Sequence, residues 1–415
     1  MYSIEFTCLF CAEFGEFHGH YFESCCFDML EDGTGMSCRK SIRFDHGKSS
    51  IAHCFLFMER KGIAWQSRYQ EKGLTFVFLM KDISSVFEQL ITPSKVVVTM
   101  HQKPDPDAMG SSLALWHFLK AMGHDVRVIS PTNWADFLKW MPGIEDALDF
   151  ESQGDKARSV LSEADWIFCL DFNHFSRTRH MQSVLEALTC KKVLIDHHRE
   201  PQTESFDFGN SDIRKSSTAE MIYDFILMSG RKDLLNKDIA TCIYAGVMAD
   251  TGSFRFASTT PSVHYMVAEL QAYGIDHTRI HSNVYDNFQE NRLRFIGHVL
   301  SNRLEVLYEY NTALIAIPKT DILRFHIKTG DTEGLVNYPL SIQGIEMAAL
   351  LIDRDEERKW SFRSKESFDC NTFARKYFEG GGHYNASGGR SSASVEENVR
   401  LFKEALKEFT NNSKK

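Results

Sequence analysis

The chain has 415 residues, a formal net charge of −9, 43% hydrophobic and 25% charged residues. That length allows two or three domains with separate cores, and the acidic balance argues against a broad basic face that wraps long duplex nucleic acid. No apolar run approaches the roughly 20 residues needed to cross a bilayer, and the first residues lack the basic n-region of a secretory leader. A cytoplasmic protein with no membrane partner is expected.

Residues 1–79 hold six of the ten cysteines (Cys8, Cys11, Cys25, Cys26, Cys38, Cys54) and keep no sustained hydrophobic period. Cys8-x-x-Cys11 lacks a second pair at a finger-like spacing, although His18, His20, His46 and His53 leave a metal reading open. This stretch is expected to be an atypical extension, unstructured or not natively translated. At Met80 the pattern changes, and "MKDISSVFEQL" reads as an amphipathic helix.

From there the chain alternates. Val96–Thr99 reads as a strand and Ser112–Met122 as a helix, followed by strands in "HDVRVIS", "WIFCLD" and "KKVLID". Helices follow in "STAEMIYDFILMSG" and "NKDIATCIYAGVMADTG", then a connecting helix in "NFQENRLRFIGHVLSN". "TALIAIPK", "IEMAALLID" and "RKWSFRSK" read as strands of a second unit. Short apolar strands between amphipathic helices imply an α/β fold with a mainly parallel sheet covered on both faces. A smaller α/β C-terminal domain follows, joined by a helical linker. Cys169, Cys190, Cys242 and Cys370 stand singly among apolar residues, as buried thiols do.

Four element ends deliver the same chemistry: His101-x-x-x-Asp105-x-Asp107, Asp171 in "CLDFN", Asp196-His197-His198 in "IDHHRE", and Asp250 in "MADTGSF". Ligands of open α/β sheets bind beyond the carboxyl ends of the strands, so these sets should converge. One such Asp is commonly a cap or turn residue; four deliveries, one with a lone histidine and one with a pair, are not. Carboxylates with imidazoles suit Mn²⁺ or Mg²⁺ better than thiolate zinc, and six ligands point to two ions about 3.5–4 Å apart, a geometry suited to phosphoryl displacement. Gly110-Ser111, leading into a helix, adds a candidate phosphate site. In the second domain, "FEGGGHYNASGGRSS" offers Gly380, Gly381, Gly382, His383, Ser387 and Arg390 as a nucleotide or phosphate cradle, and Arg363 in "WSFRSK" is a further candidate anion contact.

"IDHHRE" resembles the signature of the DHH phosphoesterase superfamily, and "HQKPDPDAMGSS", "LDFN" and "MADTGSF" are similar to its other motifs. "GGGHYNASGG" resembles the glycine-rich signature of the DHH-associated C-terminal domain. The resemblance covers about residues 80–410 and implies a catalytic domain over 80–275, a helical linker over 276–298 and a substrate-binding domain over 299–415. It implies metal ligands at His101, Asp105, Asp107, Asp171, His197 and Asp250, with Asp171 bridging two divalent ions, Mn²⁺ before Mg²⁺. His198 would contact the scissile phosphate and Asp196 would support the histidines, while a metal-bound hydroxide attacks phosphorus. Lys103 and Pro106 stand where the family commonly has Asn and Gly; neither is a ligand position. The compact form resembles bacterial oligoribonucleases, which degrade short single-stranded RNA and remove the 3′-phosphate of 3′-phosphoadenosine 5′-phosphate. Cyclic di-AMP or its linear product is the alternative substrate, a non-catalytic nucleotide sensor the alternative of another class, and a homodimer is compatible with either.

Overall fold

The computed structural model describes residues 80–413 except 329, 355–357 and 366–367, together with short strand segments before residue 80 such as Trp65–Gln70 and Gly73–Phe78. The zinc expectation at Cys8, Cys11 and the early histidines lies outside the described residues. Two compact units form. One comprises Leu90–Cys190, Leu194–Pro201 and Asn210–Lys415; the other comprises Met1–Gln89, Lys191–Val193 and Gln202–Gly209.

The first sheet is built from β1 (Lys81–Asp82), β2 (Lys95–Thr99), β3 (Asp125–Ser130), β4 (Leu148–Asp149), β5 (Trp166–Leu170), β6 (Lys191–Asp196) and β7 (Phe208–Ser211). Their order is β4-β3-β2-β5-β6-β7-β1, and the β2–β3, β2–β5, β3–β4 and β1–β7 pairings are parallel. Val96, Val97 and Val98 are all buried, as a strand covered on both faces requires. The helices of this domain are α1 (Pro106–Ala121), α2 (Gly154–Ser162), α3 (Gln182–Ala187), α4 (Thr218–Met228) and α5 (Lys237–Asp250), with α6 (Pro261–Ala272) and α7 (His277–Tyr285) beyond them.

Two local expectations are corrected. "MKDISSVFEQL" is not a long helix: Lys81–Asp82 is an edge strand on β7, and only Ile83–Val86 makes a 3₁₀ turn, capped by the Asp82 carboxylate accepting from Ser84 N at 2.9 Å. Strand pairing and a local cap overrode the apolar spacing. Nor is Gly110-Ser111 a helix entrance. Helix α1 starts at Pro106, so Gly110 lies inside it, where an added Cβ would come within 2.5 Å of the Cys242 carbonyl oxygen of α5. That glycine serves helix–helix packing.

The second domain opens with α8 (Glu290–Asn302), whose Phe295, Ile296 and Val299 enter its core. Its sheet holds β8 (Leu304–Leu307), β9 (Thr312–Ile317), β10 (Met347–Asp353), β11 (Arg358–Ser364), β12 (Gly381–His383) and β13 (Ala386–Ser391), in the order β8-β9-β10-β11-β13-β12. Only β9 and β10 pair in parallel among these strands. On one face, α10 (Cys370–Tyr377) and α11 (Val395–Ser413) cover Trp360 and Phe362, which stack with centroids 5.4 Å apart. Each fully buried apolar side chain of this kind contributes about 1.5–3 kcal/mol. The other face carries α8 and the short α9 (Lys319–Arg324). The glycine-rich run is therefore a β-hairpin and not an open loop; Gly380 and Gly389 let it lie against the backbone of β13 and of Phe378.

Candidate metal centre

Strand β2 ends at Thr99, and the chain turns into His101. Asp105 then caps α1, its Oδ1 accepting from Asp107 N and Ala108 N at 3.0 Å each. The cap leaves Asp105 Oδ2 facing His101 Nε2 at 3.7 Å, with Asp171 Oδ2 on the same nitrogen at 3.3 Å. Asp107, fully buried, accepts from Thr218 N at 2.7 Å and Ala219 N at 2.9 Å, the first backbone amides of α4. Helix N-terminal amides favour a charged carboxylate there.

Asp171 follows β5 in a left-handed conformation with φ of +61°, and its amide donates to Ile195 O at 3.1 Å. Non-glycine residues adopt that conformation at a cost of order 1 kcal/mol, and Asp tolerates it better than most. The turn sends one carboxylate oxygen to each side. Oδ2 meets His101, while Oδ1 meets His197 Nε2 at 3.4 Å and accepts from Thr218 Oγ1 at 3.0 Å. His197 Nε2 also lies 3.4 Å from Asp250 Oδ2 and 3.9 Å from Asp107 Oδ2. Two donor sets thus adjoin, His101–Asp105–Asp171 and Asp107–His197–Asp250, each with its ligand atoms within 4.8 Å of one another. His198 Nδ1 sits 2.7 Å from Asp196 Oδ1, and Asp196 Oδ2 accepts from His198 N.

Electrostatics explain why such a cluster asks for cations. Burial, together with Asp171 and Asp250, pushes the Asp107 carboxyl well up, and burial with Asp105 raises Asp250 to about 8. Burial works to lower His101, yet the Asp105 and Asp171 carboxylates facing its Nε2 hold it at about 10. Crowded carboxylates thus raise one another and the imidazoles beside them, the mark of a cluster short of positive charge. Divalent ions supply it naturally, because the donors are oxygens and imidazole nitrogens with thiolates absent.

From the second domain His383 reaches this centre, stacked on His198 with centroids 4.4 Å apart and 4.6 Å from His197. Burial and the two neighbouring histidines drive its pKa down to about 2, so it is neutral. Register places Ala386 beside His383 and Arg363 beside Ala386, hence on the same sheet face roughly 10 Å away. Ser387 Oγ donates to His383 O at 2.8 Å and ties the hairpin turn. Gly381 faces Arg375, and Gly382 adopts φ of +146°. Arg390 does not join the group: it is exposed, 3.7 Å from Glu379.

Three participants were not singled out from sequence. Thr218 bonds two carboxylates, Arg177 Nη1 donates to Asp171 O at 3.4 Å, and Arg375 Nη1 pairs with Glu200 at 2.6 Å, two residues beyond His198. Arg177 was within reach, since it lies six residues after Asp171 in the same motif; an N-cap-like Ser-Thr and a helix arginine carry no such signal.

Family models match in the same order as the two sheets: the DHH family, N-terminal domain, over residues 95–247, and the DHHA1 domain over residues 313–412. A bifunctional oligoribonuclease and PAP phosphatase of Thermus thermophilus is 30% identical over 332 residues, 79% of this chain and 90% of that protein. The chain belongs to the DHH family. A Bacillus subtilis protein of the same description is 29% identical over 71% of this chain and 88% of its own length. An exopolyphosphatase-related protein of Bacteroides fragilis superposes with a TM-score of 0.75 at 39% identity, covering 80% of this chain and 97% of that one. No helix among the described residues is long and apolar enough to cross a membrane.

Proposed function

We propose that the chain is a metal-dependent phosphodiesterase that hydrolyses short oligonucleotides and also 3′-phosphoadenosine 5′-phosphate, as two relatives are described to do. The observation that carries this is Asp171, whose two oxygens are shared between adjoining donor sets. His101, Asp105 and Asp171 would hold one divalent ion and Asp107, Asp171, His197 and Asp250 the other, with Mn²⁺ the expected metal. Such a pair supplies an activated water and Lewis acidity toward the phosphoryl oxygens.

The protein's own residues do the rest. Asp196 fixes His198 with Nδ1 as donor, so Nε2 is left to meet the substrate phosphate. Burial and Arg177 hold His198 below the usual imidazole range, and a bound phosphate would supply the counter-charge that lets Nε2 take a proton and donate to it. His383 and Arg363, on one sheet face, grip the nucleotide, and Gly380, Gly381 and Gly382 with Ser387 shape the hairpin that carries His383; Arg390, exposed beside Glu379, takes no part. The working partition remains 80–275 for catalysis, 276–298 as linker and 299–415 for substrate.

Asp171→Asn is the test, because Asn also accepts a left-handed backbone. Mn²⁺-dependent hydrolysis of a dinucleotide should fall about 10³-fold or more. A rate near that of the wild type overturns the proposal, and a wild-type chain that binds a dinucleotide without turnover in added Mn²⁺ establishes the sensor reading instead.

A further inference from the structure

Several arginines near the carboxylate–histidine centre are held by other groups. Arg375 is bound by Glu200 at 2.6 Å and by Asn371 at 2.9 Å, Arg390 lies beside Glu379, and Arg199 stacks on Tyr384. Arg177 differs. Its Nη1 donates to the Asp171 carbonyl oxygen at 3.4 Å, and among the described residues no carboxylate pairs with it. The chain brings it there by a short return. Beyond Asp171 a 3₁₀ turn runs over Phe175–Met181, capped by His174 Nδ1, which accepts from Ser176 N at 3.0 Å. Arg177 O then accepts from Gln102 N at 2.8 Å, next to His101. Arg177 is thus tied by its backbone to the first ligand segment and by its side chain to the second.

Asp171 fixes how the basic groups lie. Arg177 Nη1 stands on its carbonyl oxygen, His198 Nδ1 is 3.7 Å from its Oδ1, and His383 stacks on His198. The charge of Arg177 is felt by His101, His198 and His383, opposing a proton on each beside the larger effect of burial. The centre therefore has two sides, carboxylates with His101 and His197 on one, and His198, His383 and a guanidinium on the other. Imidazoles shed their protons; a guanidinium does not. A half-buried cation that faces no carboxylate is costly unless an anion arrives. A phosphoryl group undergoing displacement carries its charge on the equatorial oxygens, and the arginine fork suits such oxygens.

We propose that Arg177 is a catalytic residue that donates to a non-bridging oxygen of the reacting phosphate through the N–H groups Asp171 does not use. This role rests on the phosphodiesterase reading above and names the permanent cation that its reacting phosphate meets; Arg363, roughly 10 Å from His383, serves the outer part of the nucleotide. Bracing of the Asp171 turn is the competing account, and the two differ in sign. Removing a cation strengthens divalent-ion binding beside it, whereas loosening a ligand weakens that binding.

The test uses the full chain and two substrates of different size, diadenylate and 3′-phosphoadenosine 5′-phosphate. Arg177→Gln keeps an N–H donor for Asp171 O and removes the charge; Arg177→Lys keeps the charge and removes the fork. Arg177→Gln should lower kcat about 100-fold on both substrates and move KM less than about threefold. Calorimetry should show it binding Mn²⁺ as tightly as the native chain or more tightly. Arg177→Lys should recover about tenfold of the lost rate, which a folding defect or a neutral brace would not allow. Weaker Mn²⁺ binding with the two variants equally impaired identifies a brace and overturns the proposal. A loss on one substrate alone, or kcat within about threefold of native in Arg177→Gln, overturns it too. A native chain that hydrolyses neither substrate in added Mn²⁺ sinks the functional reading together with this one.

Discussion

Thr218 illustrates how much one small side chain does at the centre. Its hydroxyl donates to Asp171 Oδ1, and its amide donates to Asp107 Oδ2, so it aims carboxylates from both donor sets. Partners of this kind commonly cost 10–100-fold in metal affinity or activity when removed. Thr218→Val keeps shape and backbone amide while deleting the hydroxyl. The expected outcome is about tenfold weaker Mn²⁺ activation with a melting temperature close to wild type, read from a metal titration of activity. The six proposed ligands were legible because each stands in a short motif at an element end, as Asp171 does after five buried residues of β5. Thr218 was not, because its partners lie 47 and 111 residues away and a Ser-Thr pair opens countless helices. Arg390 shows the opposite failure: a cation next to glycines looked suited to phosphate, but it is exposed beside Glu379 and three residues of strand separate it from Ala386, which is level with His383.

At the scale of elements, α1, α4 and α5 meet at the root of Asp107. A Cβ added at Gly246 of α5 would lie 2.7 Å from Ala219 Cβ and 2.8 Å from Asp107 Oδ1. Alanine ordinarily gains roughly 0.5–1 kcal/mol over glycine inside a helix, while overpacking costs about 1–3 kcal/mol. Contacts that short make overpacking the larger effect. Gly246→Ala is therefore expected to destabilise the chain by about 1–2 kcal/mol in urea unfolding and to weaken Mn²⁺ binding as Asp107 shifts; a stabilised variant with normal metal response would refute this packing account. The helix and strand pattern over residues 95–250 was largely visible in the sequence, since buried parallel strands leave apolar runs. Periodicity failed where it was short or ambiguous. Lys81–Asp82 became an edge strand, and the glycine run became a hairpin, because pairing partners distant in sequence decided both.

For the whole molecule, the two sheets supply different things to one place. The first brings carboxylates and imidazoles; the second brings His383, and with it the Arg375–Glu200 pair and the stacking of Arg199 on Tyr384 at 5.6 Å. A net charge of −9 implies that substrate is held by a small number of phosphate contacts and not by a broad basic surface. Single-stranded binding loses about 0.7 per neutralised phosphate in the logarithmic salt slope. The KM for a pentanucleotide should then rise by no more than about 16-fold between 50 and 200 mM salt, a slope no steeper than about −2. A much steeper dependence would reveal a basic surface that the charge balance argues against.

The left-handed turn at Asp171 has a consequence for how this chain can change over generations. Position 171 answers to two demands at once, a backbone that Asp, Asn and Gly adopt readily and a carboxylate shared between two donor sets. Drift at this site is thereby channelled. Most replacements strain the turn and remove the carboxylate together, whereas Asn keeps the turn and removes only the carboxylate that the proposed chemistry requires. A lineage that abandoned hydrolysis for nucleotide recognition would find its shortest route through that one codon change, with the rest of the centre left standing.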